Sequence, residues 1–130
     1  MKSVRIAFLA FAATLTLFSP VRATEESTPL AYGDMVEGVI PGNSPAVFYR
    51  FEGDETDAVR IVLRSEDFDA FLDLKRNLAG GNVMSNDDVG DGSTDAVIET
   101  NLPAGGLYYI RVGSYGDEGH GAFTLELMKQ

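Results

Sequence analysis

A chain of 130 residues with 20 acidic residues, 10 basic ones and no cysteine has room for one domain and no means of disulfide stapling. Its net charge of −10 excludes nucleic acid and anionic membrane surfaces as partners, because both need a basic patch. With a single histidine and no thiol, most hydrolytic machinery is excluded as well.

At the start of the chain, Lys2 and Arg5 precede an apolar run of 13 residues, Ile6 to Phe18. Val21-Arg22-Ala23 then places small residues at the two positions a signal peptidase inspects. This layout predicts a secretory signal peptide over residues 1–23. The run is shorter than the roughly 20 apolar residues of a spanning helix, so no membrane insertion is expected after cleavage. The expected product is exported, periplasmic or extracellular, and monomeric. It has 107 residues, with seven basic against 20 acidic and a net charge of −13.

Residues 24–29 read as a flexible lead-in and residues 30–130 as one domain. There Gly, Asn, Asp and Pro recur between brief apolar runs, the punctuation of an all-β sandwich or barrel. About eight strands are predicted, near Met35–Ile40, Val47–Glu52, Ala58–Ser65, Phe71–Lys75, Asn82–Ser85, Ala96–Thr100, Gly106–Ser114 and Ala122–Met128. Val59, Ile61 and Leu63 alternate with Arg60, Val62 and Arg64, and Phe123, Leu125 and Leu127 alternate with Thr124, Glu126 and Met128. That period of two buries one face of a strand. No segment after residue 23 carries a helical stripe.

Two acidic loops are candidate ligand sets: Glu66-Asp67-Phe68-Asp69, and the stretch from Asn86 to Asp95 containing Asn86, Asp87, Asp88, Asp91 and Asp95. Calcium takes six to eight oxygens from such groups, so calcium is the candidate cofactor, with Asp69 as the contributor from a second loop. The loop does not follow an EF-hand. Counting from Asp87, the third position is Val89 and the twelfth is Ile98, where oxygen ligands are needed. The same Asp and Asn residues are also turn formers that bond their own backbone, and both readings stand at this point.

A catalytic triad would need Ser114 or Ser65, His120 and an acid such as Asp117. His120 sits in the glycine-rich turn Gly116-Asp-Glu-Gly-His-Gly121, with neither a nucleophile elbow nor a zinc-protease helix nearby. No enzyme is expected. Among the aromatics, Tyr108 and Tyr109 must face opposite sides of a strand. Tyr109 and, just past the strand, Tyr115 are the candidate ligand-binding tyrosines, since exposed tyrosines anchor proteins and sugar rings.

Three motifs occur in order: Phe68-Asp69 with Leu72, Asn86-Asp87-Asp88, and Leu102-Pro-Ala-Gly-Gly-Leu-Tyr108-Tyr109-Ile-Arg-Val112. Together they resemble the bacterial pre-peptidase C-terminal domain, over roughly Pro29 to Leu127. The resemblance implies a jelly-roll-like antiparallel β-sandwich, usually appended to secreted proteases and removed on maturation, and assisting secretion or substrate attachment. Clostridial collagen-binding members hold calcium between an acidic linker and aspartates entering the second strand. This chain offers Glu25 and Glu26, but Ala46 and Val47 stand at the strand entry. Those members also carry a tyrosine pair where this chain has Gly113 and Tyr115, so collagen binding does not carry over.

The expected function is an exported, non-catalytic accessory or binding module, calcium-stabilised, acting on a secreted protease or on another protein or polysaccharide surface of the envelope. A calcium-dependent structural or sensor protein is the alternative, and a small carboxylate hydrolase the third reading.

Overall fold

The computed structural model describes residues 27–78, 81–86 and 94–130; the expected signal peptide lies outside them. Nine strands run in order through the described residues: β1 (Ser27–Pro29), β2 (Met35–Ile40), β3 (Ala46–Gly53), β4 (Ala58–Arg64), β5 (Ala70–Lys75), β6 (Asn82–Asn86), β7 (Ala96–Asn101), β8 (Gly106–Ser114) and β9 (Gly121–Lys129). A single 3-10 turn, Tyr115–Asp117, joins the last two. No helix among the described residues is long and apolar enough to cross a membrane.

The strands form two sheets, one of five in the order β1-β3-β8-β5-β6 and one of four in the order β2-β9-β4-β7. Setting β1 aside, successive strands alternate between the layers in the jelly-roll manner, except that β5 and β6 form a hairpin within the five-stranded sheet. All the pairings are antiparallel except that of β1 with β3. The ninth strand corrects the expected count of eight. Ser27–Pro29, placed by sequence in a flexible lead-in, lies parallel to Phe48–Arg50, and the Arg50 guanidinium donates to the Ser27 carbonyl and hydroxyl.

The period-two pattern places its inner set as predicted, although Val62 of the outer set is buried too, at 2% exposed. Val59, Ile61 and Leu63 of β4 are fully buried, as are Leu125 and Leu127 of β9, with Phe123 4% exposed. They meet Leu72 and Leu74 of β5 and Tyr108, Ile110 and Val112 of β8 from the opposite sheet. Each buried side chain of this size contributes roughly 1.5–3 kcal/mol, which suits a chain with no disulfide. Tyr108 is fully buried and stacks on Phe51 at 5.6 Å. Its hydroxyl donates to the Ala104 carbonyl at 2.6 Å and accepts the Ala104 N–H at 3.2 Å, so the phenol ties down the loop before β8.

Candidate functional site: an acidic groove on the four-stranded sheet

Where β4 ends, Ser65 turns the chain. Its hydroxyl accepts the N–H of Asp67 (2.9 Å) and of Phe68 (3.3 Å) and donates to the Ala122 carbonyl (2.8 Å). A serine makes this turn because its side chain substitutes for the missing backbone partners. Asp67 Oδ2 accepts the Ala122 N–H at 2.8 Å, which clamps the turn to the start of β9. Gly121 allows that approach, since its φ is +130° and a Cβ there would lie 2.5 Å from Asp67 Cβ. Phe68 points inward, edge-on to Phe123 at 6.4 Å, and leaves Glu66 exposed.

This turn forms one wall of an open groove of about 720 Å³. Glu37 and Val39 of β2, Thr124 of β9, Arg64 of β4 and Asp95 just ahead of β7 complete the lining. Beneath it, Gly38 admits the Phe123 ring and the Tyr49 hydroxyl, which a Cβ would meet at 2.5 and 2.8 Å. Burial raises the Tyr49 phenol above its usual value. Glu37, Glu66, Asp67 and Asp95 face a single guanidinium, Arg64, which is shared loosely with Asp95 at 3.9 Å and Glu126 at 3.7 Å. Among the described residues no three His, Cys, Asp or Glu side chains converge as a metal cradle. The carboxylates are spread over β2, the turn after β4 and the entry to β7.

The outer face of the five-stranded sheet is built differently. Register aligns Phe48, Arg111, Asp73 and Ser85 across four strands, and Arg50, Tyr109 and Lys75 across three. Asp73 accepts from Ser85 Oγ and lies 3.7 Å from Arg111, which also pairs with Asp117 at 3.0 Å. Lys75 donates to Asn82 at 2.9 Å. A third polar cluster centres on Asp57, whose Oδ2 accepts the Asp54 N–H and the Tyr32 hydroxyl, each at 2.9 Å, with Lys129 at 3.4 Å. The Asp54 N–H, and after it Tyr32 and Lys129, hold the Asp57 carboxyl below the usual range. Burial and then Asp57 push the Tyr32 phenol well above its own.

The residues expected to bind calcium are placed as follows. Asp69 is exposed at the entry to β5. The Ala70 N–H donates to the Thr94 carbonyl at 2.9 Å, so the Asp69 loop and the end of the acidic loop do meet. Asn86 closes β6 and its Oδ1 accepts the Val97 N–H at 3.3 Å, which is turn and edge chemistry. Asp95 faces Arg64. Asp87, Asp88 and Asp91 lie outside the described residues. The two tyrosines do not share a site. Tyr109 is half-buried in the middle of its sheet face, while Tyr115 is 64% exposed beyond the strand end, six residues or about 20 Å further along.

The serines considered for a triad are occupied by turn bonds, Ser114 Oγ accepting the Gly119 N–H at 2.7 Å, and Asp117 is paired with Arg111. Glu37 and Val39 line the groove although neither is a candidate residue from sequence. Their signal was the alternation Met35, Glu37, Val39 against Val36, Gly38, Ile40, which sends the first set outward.

A family model described as the bacterial pre-peptidase C-terminal domain matches residues 46–114. The chain is 33% identical over 104 residues to a probable subtilase-type serine protease of Deinococcus radiodurans, and the match covers 75% of this chain but 14% of that protein. The pre-peptidase C-terminal domain of a Bacillus anthracis collagenase superposes with a TM-score of 0.66 at 18% identity, covering 82% of this chain and 99% of that one. A periplasmic inhibitor of g-type lysozyme from Salmonella Typhimurium gives 0.55 at 18% identity, covering 81% and 100%.

Proposed function

Because the chain belongs to the bacterial pre-peptidase C-terminal domain family, we propose that it is an exported, non-catalytic module whose acidic groove binds a basic protein surface, that of a secreted protease. The observation carrying this reading is the groove itself, four carboxylates against one guanidinium. The match to a stretch within a subtilase-type protease supports the partner class, and the likeness to a lysozyme inhibitor is in keeping with a protein partner. Calorimetry of the protein with a secreted subtilase-type protease tests it, at about 50 mM and about 500 mM salt, since exposed charge pairs are screened at the higher value. Affinity should fall with salt, and by roughly tenfold when Glu37→Lys and Glu66→Lys are combined. Binding indifferent to both changes would end the groove reading and move the search to Tyr109 and Tyr115.

Calcium stabilisation of the same module is a second proposal, favoured by the Ala70–Thr94 bond that brings Asp69 to the acidic loop. Saturation at about 100 times the dissociation constant adds roughly 2.7 kcal/mol, a melting shift of order 10 °C. The shift should be calcium-specific and lost in Asp87→Asn with Asp88→Asn. Without a shift, these residues are turn formers.

A further inference from the structure

Four strands border the two sheets, and their edges are protected unequally. β1 is three residues long and ends in Pro29, and β7 has its Val97 N–H taken by Asn86. β6 is five residues long and leads into the acidic loop. β2 has six residues and no proline, and among the described residues it has no strand neighbour beyond β9. Short length, proline and side-chain cover are the usual guards of a sheet edge, and β2 has none of them.

The backbone phase of this edge follows from register. The Leu127 N–H donates to the Asp34 carbonyl at 3.0 Å, so the 34/127 position is of the hydrogen-bonded kind. Alternation along an antiparallel pair then turns Val36, Gly38 and Ile40 toward β9 and leaves the N–H and C=O of Met35, Glu37 and Val39 on the free edge. The same three residues present their side chains outward, and Met35 and Val39 are 61% and 60% exposed. Side chains and backbone thus offer one pattern: apolar, acidic, apolar, beside the carboxylates of Glu66 and Asp67.

Resting on the basic-partner reading above, we infer that the free edge of β2 takes an extended segment of the partner as an added strand. The segment carries a lysine or arginine opposite Glu37, flanked two residues away on each side by apolar residues opposite Met35 and Val39. Main-chain bonds supply the affinity in this mode and alternate side chains the selectivity.

The probe is a cyclised β-hairpin whose outer strand reads Val-Thr-Lys-Thr-Val, compared with the same hairpin carrying Glu for Lys, titrated against the isotope-labelled protein by NMR. The lysine hairpin should bind at least about tenfold more tightly than the glutamate one, and should slow amide exchange at Met35, Glu37 and Val39. Val39→Pro removes a donor from the free edge and no bond to β9. It should cost at least about tenfold in hairpin affinity while the protein still melts as the parent does. Glu37→Lys should invert the hairpin preference. If Val39→Pro lowers the melting temperature, amide exchange in the parent decides: protection on binding supports the added strand, and unchanged exchange overturns it. Tight lysine-hairpin binding that Val39→Pro leaves intact, with no amide protection, would overturn strand addition yet leave the acidic groove as the site. Failure of both the hairpin and the protease to bind would overturn the groove reading as well.

Discussion

The centre of the five-stranded face and the groove on the four-stranded face hold charge in opposite ways. At the centre of the five-stranded sheet each charge has a partner: Asp73, 7% exposed, is held by Ser85 and Arg111, Lys75 by Asn82, and Arg50 by Ser27. The four-stranded sheet closes one pair, Arg60 with Glu99 at 2.8 Å, but in its groove Glu37 and Glu66 make no hydrogen bond or ion pair among the described residues, and Arg64 is stretched between two acids. The first region is finished by its own side chains, whereas the groove leaves carboxylates without a partner among the described residues.

The sharpest way to break this contrast is Asp73→Ala, which strands Arg111 and Ser85 on a largely buried face. Loss of one partner from such a pair costs about 3 kcal/mol, so the melting temperature should fall by roughly 15 °C. A fall of only a degree or two would mean the two faces do not differ. A smaller effect separates partnered from unpartnered carboxylates by pH. Because the Asp57 carboxyl titrates below its unfolded value near 3.8, its contribution is complete above that value and is lost as pH falls through the folded one. Melting between about pH 5 and pH 2 should therefore show a shallower acid limb for Asp57→Asn than for the parent. The least effect is expected for Glu37→Ala and Glu66→Ala, within about 0.5 kcal/mol of the parent by denaturant melting. A slight gain would also fit, since removing either acid relieves repulsion on a strongly anionic chain.

What could be read from the residue string was local. Val59, Ile61 and Leu63, Phe123, Leu125 and Leu127, and the opposed Tyr108 and Tyr109 all express a period that two or three neighbours reveal. The strand β1 could not be read that way, because Ser-Thr-Pro has no alternation and is held by Arg50 far along the chain. The groove escaped for the same reason. Glu37, Glu66 and Asp95 are about thirty positions apart from one to the next, and only the pairing of β2 with β9 and the turn at Ser65 brings them together. Asn86 shows the converse: its residue type suggested a ligand, and only its place at the end of β6 reveals that it is also an edge partner for Val97.

The register that sets Met35 opposite Glu126 and Ala46 opposite Gly113 also governs the order of assembly. Pairings between such distant parts of the chain close long loops before any contact rewards them, so folding is expected on the millisecond-to-second scale rather than in microseconds. The strand β9 is the partner of both β2 and β4, and it is the last of the described strands in chain order. Until it docks there is neither a floor for the groove nor a registered edge on β2. On the proposed reading recognition waits for β9 to dock, and an unfolded copy has neither groove nor registered edge to offer.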